Sequence, residues 1–268
     1  MTICDCHIHS FAKTALPSGG AYAPPTKDLS DYVEEAAPHG ISRAVIVQAS
    51  VDGTDSSRLV SVLRSGARIA TRGVATIDPD RADVSALHAA GVRAIRIQDR
   101  ARLGASALGS LPELSRCVAP MGWHIELNTE PTSFSAIAEH LKRLPEGQIL
   151  VLDHIGHVDP QSGQDMGDLR RLLDTGRVWV KLSLTRVGRG QGPDDHAHLV
   201  ECVGQLVGTY PDQCIWGSDW PHVMTAPPLP QIPPMLDLFS AVLDPDQFRA
   251  CMWTNPERLY AFEKSGTV

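Results

Sequence analysis

Two histidines near the start of the chain have types and spacing that suit an active site. His7 and His9 follow a short apolar stretch, and a strand there would place both imidazoles on one face, because side chains alternate along a strand. Two such imidazoles can direct nitrogen atoms at one metal ion or at one substrate oxygen. Far along the chain, Asp219 supplies a carboxylate at the end of another predicted strand. The three side chains form a candidate catalytic or metal-binding centre.

The elements that would position these side chains alternate along the chain. We predict strands over residues 2–6, 44–48, 69–75, 92–97, 123–127, 149–152, 178–182 and 214–216, and helices over residues 29–37, 57–65, 83–90, 112–119, 134–144, 166–174 and 196–207. Apolar strands that alternate with helices predict a parallel sheet covered by helices. Eight repeats fit a distorted (β/α)8 TIM barrel forming a single domain over residues 1–268. A doubly wound open sheet is the alternative, but no G-x-G-x-x-G motif follows the first strand. Five prolines within residues 227–234 predict a rigid loop before the last helices.

Composition and charge exclude several classes of function. The net charge of −7 and the pI near 5.8 argue against nucleic acid or an anionic membrane as a main partner. No apolar stretch is long enough to span a bilayer, and no signal peptide is recognisable, so we expect a cytoplasmic protein. The six cysteines include no C-x-x-C pair and are expected to be buried thiols. A homo-oligomer is possible, and the sequence does not decide this.

Polar residues at the carboxyl ends of the predicted strands are expected to meet, because chemistry in such barrels lies at that face. His154 alone would more often be a structural polar group, but its company with His7, His9 and Asp219 favours a catalytic role. Arg96 ends an apolar run, where burial would demand an anionic partner. His124 is expected to lie deeper, as a spectator. The further substrate-binding candidates are Gln48, Ser50, Arg102, Asn128, Arg186 and His222.

These motifs resemble the amidohydrolase superfamily, and in particular the branch that contains 2-pyrone-4,6-dicarboxylate lactonase and D-galactarolactone isomerase. The resemblance covers nearly the whole chain. It rests on the two N-terminal histidines, the Asp-His pair at 153–154, and the segments 47–55, 91–96, 217–222 and 255–260. It implies that His7, His9, His154 and Asp219 form the polar centre, and that Arg96, Arg102 and Arg186 hold substrate carboxylates. At position 52 this chain has Asp where members of the branch commonly have an aromatic residue. The sequence therefore departs from the branch at a position expected to contact the ring of the substrate.

A metal ion is the main alternative in the chemistry of this centre. Two-metal members of the superfamily need a carboxylated lysine on the fourth strand and a histidine on the fifth, whereas here those strands end in Arg-Ile-Gln and Glu-Leu-Asn. A single Zn²⁺ or Mn²⁺ held by His7, His9, His154 and Asp219 is chemically possible. Neighbouring arginines would repel a dication, and the related lactonase branch works without metal. We therefore favour a site with no metal and no other cofactor.

The predicted function is hydrolysis of a small anionic lactone, of the pyrone dicarboxylate or sugar-acid type. Asp219 would act as general base on water, and His7, His9 and His154 would donate to the carbonyl oxygen as negative charge develops. The arginines would bind carboxylates. The alternatives are a lactone isomerase that uses the same site, a mononuclear metal-dependent amidohydrolase or decarboxylase, and a non-catalytic barrel that binds a small acid.

Overall fold

Eight parallel strands lie side by side in chain order in the computed structural model, which describes residues 2–11, 22–100, 106–187, 192 and 194–263. Ile8 of the first strand forms a bridge with Trp220, which follows the last strand, and the first and last strands contact each other, so the sheet forms a nearly closed barrel. The predicted (β/α)8 barrel is confirmed, and the open doubly wound sheet is excluded. The strands are β1 Ile3–Ile8, β2 Ile41–Val47, β3 Ala70–Ala75, β4 Val92–Gln98, β5 His124–Asn128, β6 Leu150–Leu152, β7 Val178–Leu182 and β8 Cys214–Trp216.

Helices follow the strands along the described chain and cover the outside of the barrel. They are α1 Leu29–Ala36, α2 Ser57–Leu63, α3 Val84–Ala89, α4 Leu111–Val118, α5 Phe134–Leu141, α6 Gly163–Leu173, α7 Val200–Thr209, α8 Ile232–Val242, α9 Pro245–Arg249 and α10 Asn255–Leu259. Their apolar residues face the strands, as Leu111, Leu114 and Val118 of α4 do. No described helix is both long and apolar enough to cross a membrane.

Several predicted boundaries differ from the structure by a few residues, and two of the differences bear on the site or on the proline-rich stretch. The proline-rich stretch was expected to be loop throughout, yet α8 begins inside it at Ile232, with Pro233 and Pro234 in its first turn. Proline is tolerated there because the first N–H groups of a helix have no partner within the helix. The first strand runs to Ile8 rather than ending at residue 6, so His7 belongs to the strand itself.

A bulge in β1 aims the first histidine into the barrel. Asp5 pairs with Ala44 and Ile8 pairs with Ile46, so β1 advances three residues where β2 advances two. Cys6 packs in the inner core, and the next residue, His7, also reaches interior groups. A bulge of this kind breaks the strict alternation of side chains and can redirect one of them.

Candidate active site

The backbones of β8 and β1 bring the predicted centre together. The N–H of Asp219 donates to the carbonyl of His7 at 2.8 Å, and the N–H of His9 donates to the carbonyl of Trp220 at 2.8 Å. A Cβ atom on Gly217 would lie 2.6 Å from the Cβ of His7, so only glycine permits this approach. The two histidines and the aspartate therefore converge at the seam of the barrel, as the sequence predicted.

The side chains of His7 and His9 both approach the carboxylate of Asp219. Asp219 Oδ1 lies 3.7 Å from Nε2 of His7 and 3.9 Å from Nε2 of His9. His9 Nδ1 donates to the carbonyl of Val47 at 2.8 Å, because a carbonyl can only accept. Burial, together with the charges of His7 and Arg96, lowers the pKa of His9 to about 3. Neutral His9 therefore carries its proton on Nδ1, and its Nε2 faces Asp219 as an acceptor.

Asp219 is held as a carboxylate at the centre of the site. Burial alone would raise its pKa, but Arg186, His154 and His7 outweigh that effect and the pKa lies below its ordinary value. Arg186 Nε donates to Oδ2 of Asp219 at 2.6 Å, and the Thr185 hydroxyl lies 3.4 Å from the same oxygen. The candidate base is thus ionised and closely paired with a cation.

His154 joins the group from a turn in the left-handed region. Its φ is 52°, and the φ of Ile155 is 54°, which turns the chain sharply after β6. The His154 ring centroid lies 4.9 Å from that of His7. Burial lowers the pKa of His154 well below its usual value, so the ring is neutral, and its buried Nδ1 has no hydrogen-bond partner among the described residues.

A fully buried set of charges lies beneath these groups. Lys181 Nζ lies 2.7 Å from Glu126 Oε2, 3.1 Å from Asp153 Oδ1 and 3.4 Å from His7 Nδ1. Burial would lower the pKa of Lys181, but the charges of Asp153 and Glu126 outweigh burial and raise it. Burial would raise the pKa of Asp153, yet Lys181 and His7 hold it well below the ordinary range. Lys181, Glu126 and Asp153 were not among the predicted site residues.

The predicted carboxylate-binding arginines have different surroundings. Arg96 is buried, and its Nη1 lies 3.8 Å from Asp153 Oδ2, which supplies the anionic partner expected from the sequence. Its Nη2 donates to the carbonyl of Gln48 at 2.8 Å. Arg186 is part-exposed and pairs with Asp219. Arg102 lies outside the described residues.

Gln48 was predicted to bind substrate, but its side chain is bonded elsewhere. Its Nε2 donates to the carbonyls of Gly53 and Asp55, and its Oε1 accepts from the Ser56 hydroxyl and the Thr76 N–H. The carboxamide is fully used in holding the loop after β2. Gln48 contributes its backbone carbonyl to the site, where the carbonyl accepts a hydrogen bond from Arg96.

The other predicted contacts lie around the rim. Ser50 is exposed and hydrogen-bonds to Tyr22, a residue that the sequence analysis missed. Asn128 Nδ2 donates to Gln98, and its Oδ1 lies 3.0 Å from His157 Nε2. His222 is buried; burial lowers its pKa, and its Nδ1 has no partner among the described residues. His124 lies deeper, 3.5 Å from Glu126, which agrees with a spectator position.

A polar cavity of about 890 Å³ borders Arg186 on the side of β4 to β6. Arg100 and His157 contact each other on its wall, and Glu130 lies 3.5 Å from Arg100. Neither the sequence nor the resemblance indicated the pairing of Arg100 with His157.

The positions of the candidate ligand atoms indicate whether a metal ion would fit the site. Ligand atoms of His7, His9 and Asp219 lie within 4.8 Å of one another, and so do those of His7, Asp153 and His154. The first group fits a single cation, because the Nε2 of His9 and the Asp219 carboxylate are both acceptors and the buried His7 Nε2 has no hydrogen-bond partner among the described residues. The second group fits less well, because both oxygens of Asp153 lie near cations, Lys181 and Arg96, whereas Arg186 pairs with Oδ2 of Asp219 and the histidines face Oδ1. Absence of a metal stays a prediction.

Comparison with known proteins gives the chain its family. The amidohydrolase family model Amidohydro_2 matches residues 4–262. A 2-pyrone-4,6-dicarboxylate hydrolase of Comamonas testosteroni is 28% identical over 236 residues, covering 82% of this chain and 76% of that protein. A 4-sulfomuconolactone hydrolase of Hydrogenophaga intermedia is 28% identical over 272 residues, covering 96% of this chain and 88% of its own length.

Solved structures agree with that relationship. A Pseudomonas putida protein, described as a candidate 2-pyrone-4,6-dicarboxylic acid hydrolase, superposes with a TM-score of 0.84 at 27% identity, covering 98% of this chain and 99% of that one. The resemblance noted in the sequence is therefore confirmed, and with it the expectation of an enzyme. The chain belongs to the amidohydrolase family.

Proposed function

We propose that this protein hydrolyses a lactone that carries one or more carboxylate groups. The observation that carries the proposal is the position of Asp219, an ionised carboxylate between two imidazoles and the guanidinium of Arg186. Ester hydrolysis needs a base for water and polar groups for the developing oxyanion, and a substrate carboxylate needs a cation. The names of the two curated relatives, a pyrone dicarboxylate hydrolase and a sulfomuconolactone hydrolase, support the lactone class.

Asp219 would act as the general base on a water molecule. Its low pKa keeps it ionised, but the bond from Arg186 to Oδ2 also makes it a weak base. A substrate carboxylate that binds Arg186 would draw the guanidinium away from Asp219. The basicity of the Asp219 carboxylate would then rise. The acidic group of the substrate would then promote the chemical step as well as binding.

The histidines divide into donors and an acceptor. His7 carries its proton on Nε2 when Lys181 donates to its Nδ1, and it can then donate to the carbonyl oxygen. His154 is neutral and can supply a second donor. His9 differs from the role predicted from the sequence, because its proton is fixed on Nδ1 by Val47 and its Nε2 can only accept. His9 would receive a hydrogen bond from the attacking water.

Binding of a divalent cation would give the same side chains another use. His7, His9 and Asp219 would hold it. When bound, such a cation polarises a carbonyl oxygen and lowers the pKa of water. His7 would then place its proton on Nδ1 and donate to Asp153, which lies 3.4 Å away.

A lactone panel tests the proposal directly. Pyrone dicarboxylates, muconolactones and aldarolactones would be assayed by NMR of the products, before and after dialysis against a chelator, with metal analysis of the protein. We expect ring-opened acids and activity that survives the chelator. Asp219→Asn should lower kcat by a factor on the order of 10² to 10⁴, whereas Asp212→Asn, at an exposed carboxylate, should not.

Each other outcome has a definite meaning. No turnover of any lactone, or near wild-type activity of Asp219→Asn, would sink the proposed reaction. A rearranged lactone without ring opening would indicate an isomerase on the same site. A stoichiometric metal whose removal abolishes activity would replace the metal-free mechanism.

A further inference from the structure

The C-terminal segment, residues 255–263, covers the amino end of the barrel, opposite the candidate active site. Asn255 Nδ2 donates to the carbonyls of Pro211 and Cys214, at the start of β8, at 2.7 and 2.9 Å. Glu257 pairs with Arg43 of β2 at 2.9 Å. The last part of the segment reaches the inner core, where Tyr260 and Phe262 pack with interior residues of the strands: Cys4, Val45, Val74 and Ile215.

From Tyr260, a chain of polar contacts runs through the barrel to the site. The Tyr260 hydroxyl donates to Glu126 Oε1 at 2.6 Å, and Glu126 Oε2 accepts from Lys181 at 2.7 Å. Lys181 Nζ lies 3.1 Å from Asp153 Oδ1 and 3.4 Å from His7 Nδ1. All five side chains are fully buried, so water cannot replace any of these contacts.

We propose that Tyr260 is a positioning residue for catalysis, which acts on His7 through Glu126 and Lys181. The kinetic part of this inference rests on the proposed lactone hydrolysis. The structural part concerns the His7 ring in the free protein and stands on the contact chain alone.

The hydroxyl of Tyr260 matters because Lys181 is shared between two carboxylates. Without that donor, the one partner left to Glu126 Oε1 among the described residues is His124, whose Nε2 lies 3.5 Å away. The less solvated Glu126 would then attract Lys181 more strongly, since the ammonium is its remaining close donor. Lys181 would move from Asp153 and His7 toward Glu126, and the His7 ring would lose the group that orients its Nδ1.

In the hydrogen bond between Tyr260 and Glu126, the phenol is the donor and the carboxylate is the acceptor. Burial, with the charge of Glu126, raises the pKa of the Tyr260 phenol well above its usual value, so the hydroxyl stays protonated and donates. Burial would raise the pKa of Glu126, but Lys181 outweighs burial and lowers it, so Glu126 accepts as a carboxylate.

Tyr260→Phe tests the proposal because it removes the hydroxyl and keeps the ring. We expect kcat to fall on the order of tenfold with KM changed less than about twofold, the size seen for groups that orient a catalytic or ligating histidine. Tyr210→Phe is the matched control, because the Tyr210 hydroxyl also donates to a carboxylate, Asp174 Oδ1 at 2.7 Å, but outside the barrel. Its kcat should equal that of the wild type.

A double-mutant cycle with Glu126→Gln shows whether the effect passes through that carboxylate. In the Glu126→Gln protein, Tyr260→Phe should cause little further loss of kcat, because its route to His7 is already broken. An equal proportional loss in both backgrounds would overturn the proposed route. Where Tyr260→Phe does not yield folded protein, Glu126→Gln alone decides, and wild-type kcat in that variant would refute the chain.

A spectroscopic readout needs no substrate and separates this inference from the proposed function. ¹H–¹⁵N NMR of histidine-labelled free protein reports the imidazole rings, and the His7 signals are those lost in His7→Asn. Tyr260→Phe should shift the His7 ring nitrogens, and Tyr210→Phe should leave them in place. Unshifted His7 signals would refute the positioning role, whereas a shift in a protein that opens no lactone would refute only the proposed function.

Discussion

Lys181 is fully buried between two carboxylates, and its replacement by methionine is expected to be strongly destabilising. Methionine preserves much of the volume but leaves Glu126 and Asp153, 2.7 and 3.1 Å from the lost ammonium, without their main counter-charge. Breaking a buried ion pair from one side costs about 3–5 kcal/mol. For a chain of this length each kcal/mol shifts the unfolding midpoint by about 2–4 °C, so a loss of roughly 6–20 °C is expected.

The loss should also depend on pH, with a definite sign. In the wild type the pKa values of Asp153 and Glu126 are lowered, so their stabilising contribution is complete above the unfolded values of 3.8 and 4.5 and is lost as pH falls through the lowered, folded values. Without Lys181, burial would raise both pKa values, and stability would then fall as pH rises through them. The destabilisation should therefore be larger at pH 8 than at pH 5.

Thermal and urea unfolding followed by circular dichroism at the two pH values would measure this effect. Lys142→Met is the matched control, because Lys142 pairs with Glu139 on the surface, where both side chains are more than half exposed. That change should move the midpoint by less than about 1 °C. A Lys181→Met midpoint within about 2 °C of the wild type, or an equal loss at both pH values, would refute the account of this network.

Three further predictions concern the active site. Arg186→Met removes the cation that most lowers the pKa of Asp219, so the acid limb of the kcat/KM profile should move to higher pH, while an unshifted limb would contradict Asp219 as the base. His154→Ala should lower kcat about a hundredfold or more by removing an oxyanion donor, with KM changed less; wild-type kcat would exclude that role. Gly217→Ala places a methyl group 2.6 Å from the Cβ of His7 and should cost about 1–3 kcal/mol in unfolding free energy together with most of the activity, whereas Gly208→Ala, at an open position, should spare the activity.

The fold was predictable because its signals are local and repeated. Each strand is a short apolar run and each helix presents an apolar face, so the order of elements follows from the sequence, and parallel strands force the strand ends to one face. The convergence of His7, His9 and Asp219 follows from that geometry. The predicted boundaries differ from the observed ones where tertiary contacts determine the ends of an element. An example is α8, whose first turn contains two prolines.

The chemistry of individual atoms was less accessible. Nothing in the sequence indicates that Val47 fixes the proton of His9 on Nδ1, because that carbonyl belongs to a neighbouring strand. The fully used carboxamide of Gln48 depends in the same way on the path of a loop. Lys181 did carry a signal, since a lysine within the apolar segment Val-Trp-Val-Lys-Leu must find buried carboxylates. Tyr22 carried none, because it belongs to no helix or strand.

Burial in the upper barrel explains why His9 and His154 are neutral. Three of the cations in this region each lie near a carboxylate: Arg96 near Asp153, Lys181 near Glu126 and Asp153, and Arg186 near Asp219. Because these carboxylates already lie near cations, protonation of His9 or His154 would place a further cation in a buried region, and burial lowers the pKa of both rings. In the proposed reaction, a substrate carboxylate would replace Asp219 as the partner of Arg186. Only an acidic lactone can make this exchange, so the guanidinium of Arg186 would favour an acidic lactone over an uncharged one before any bond is broken.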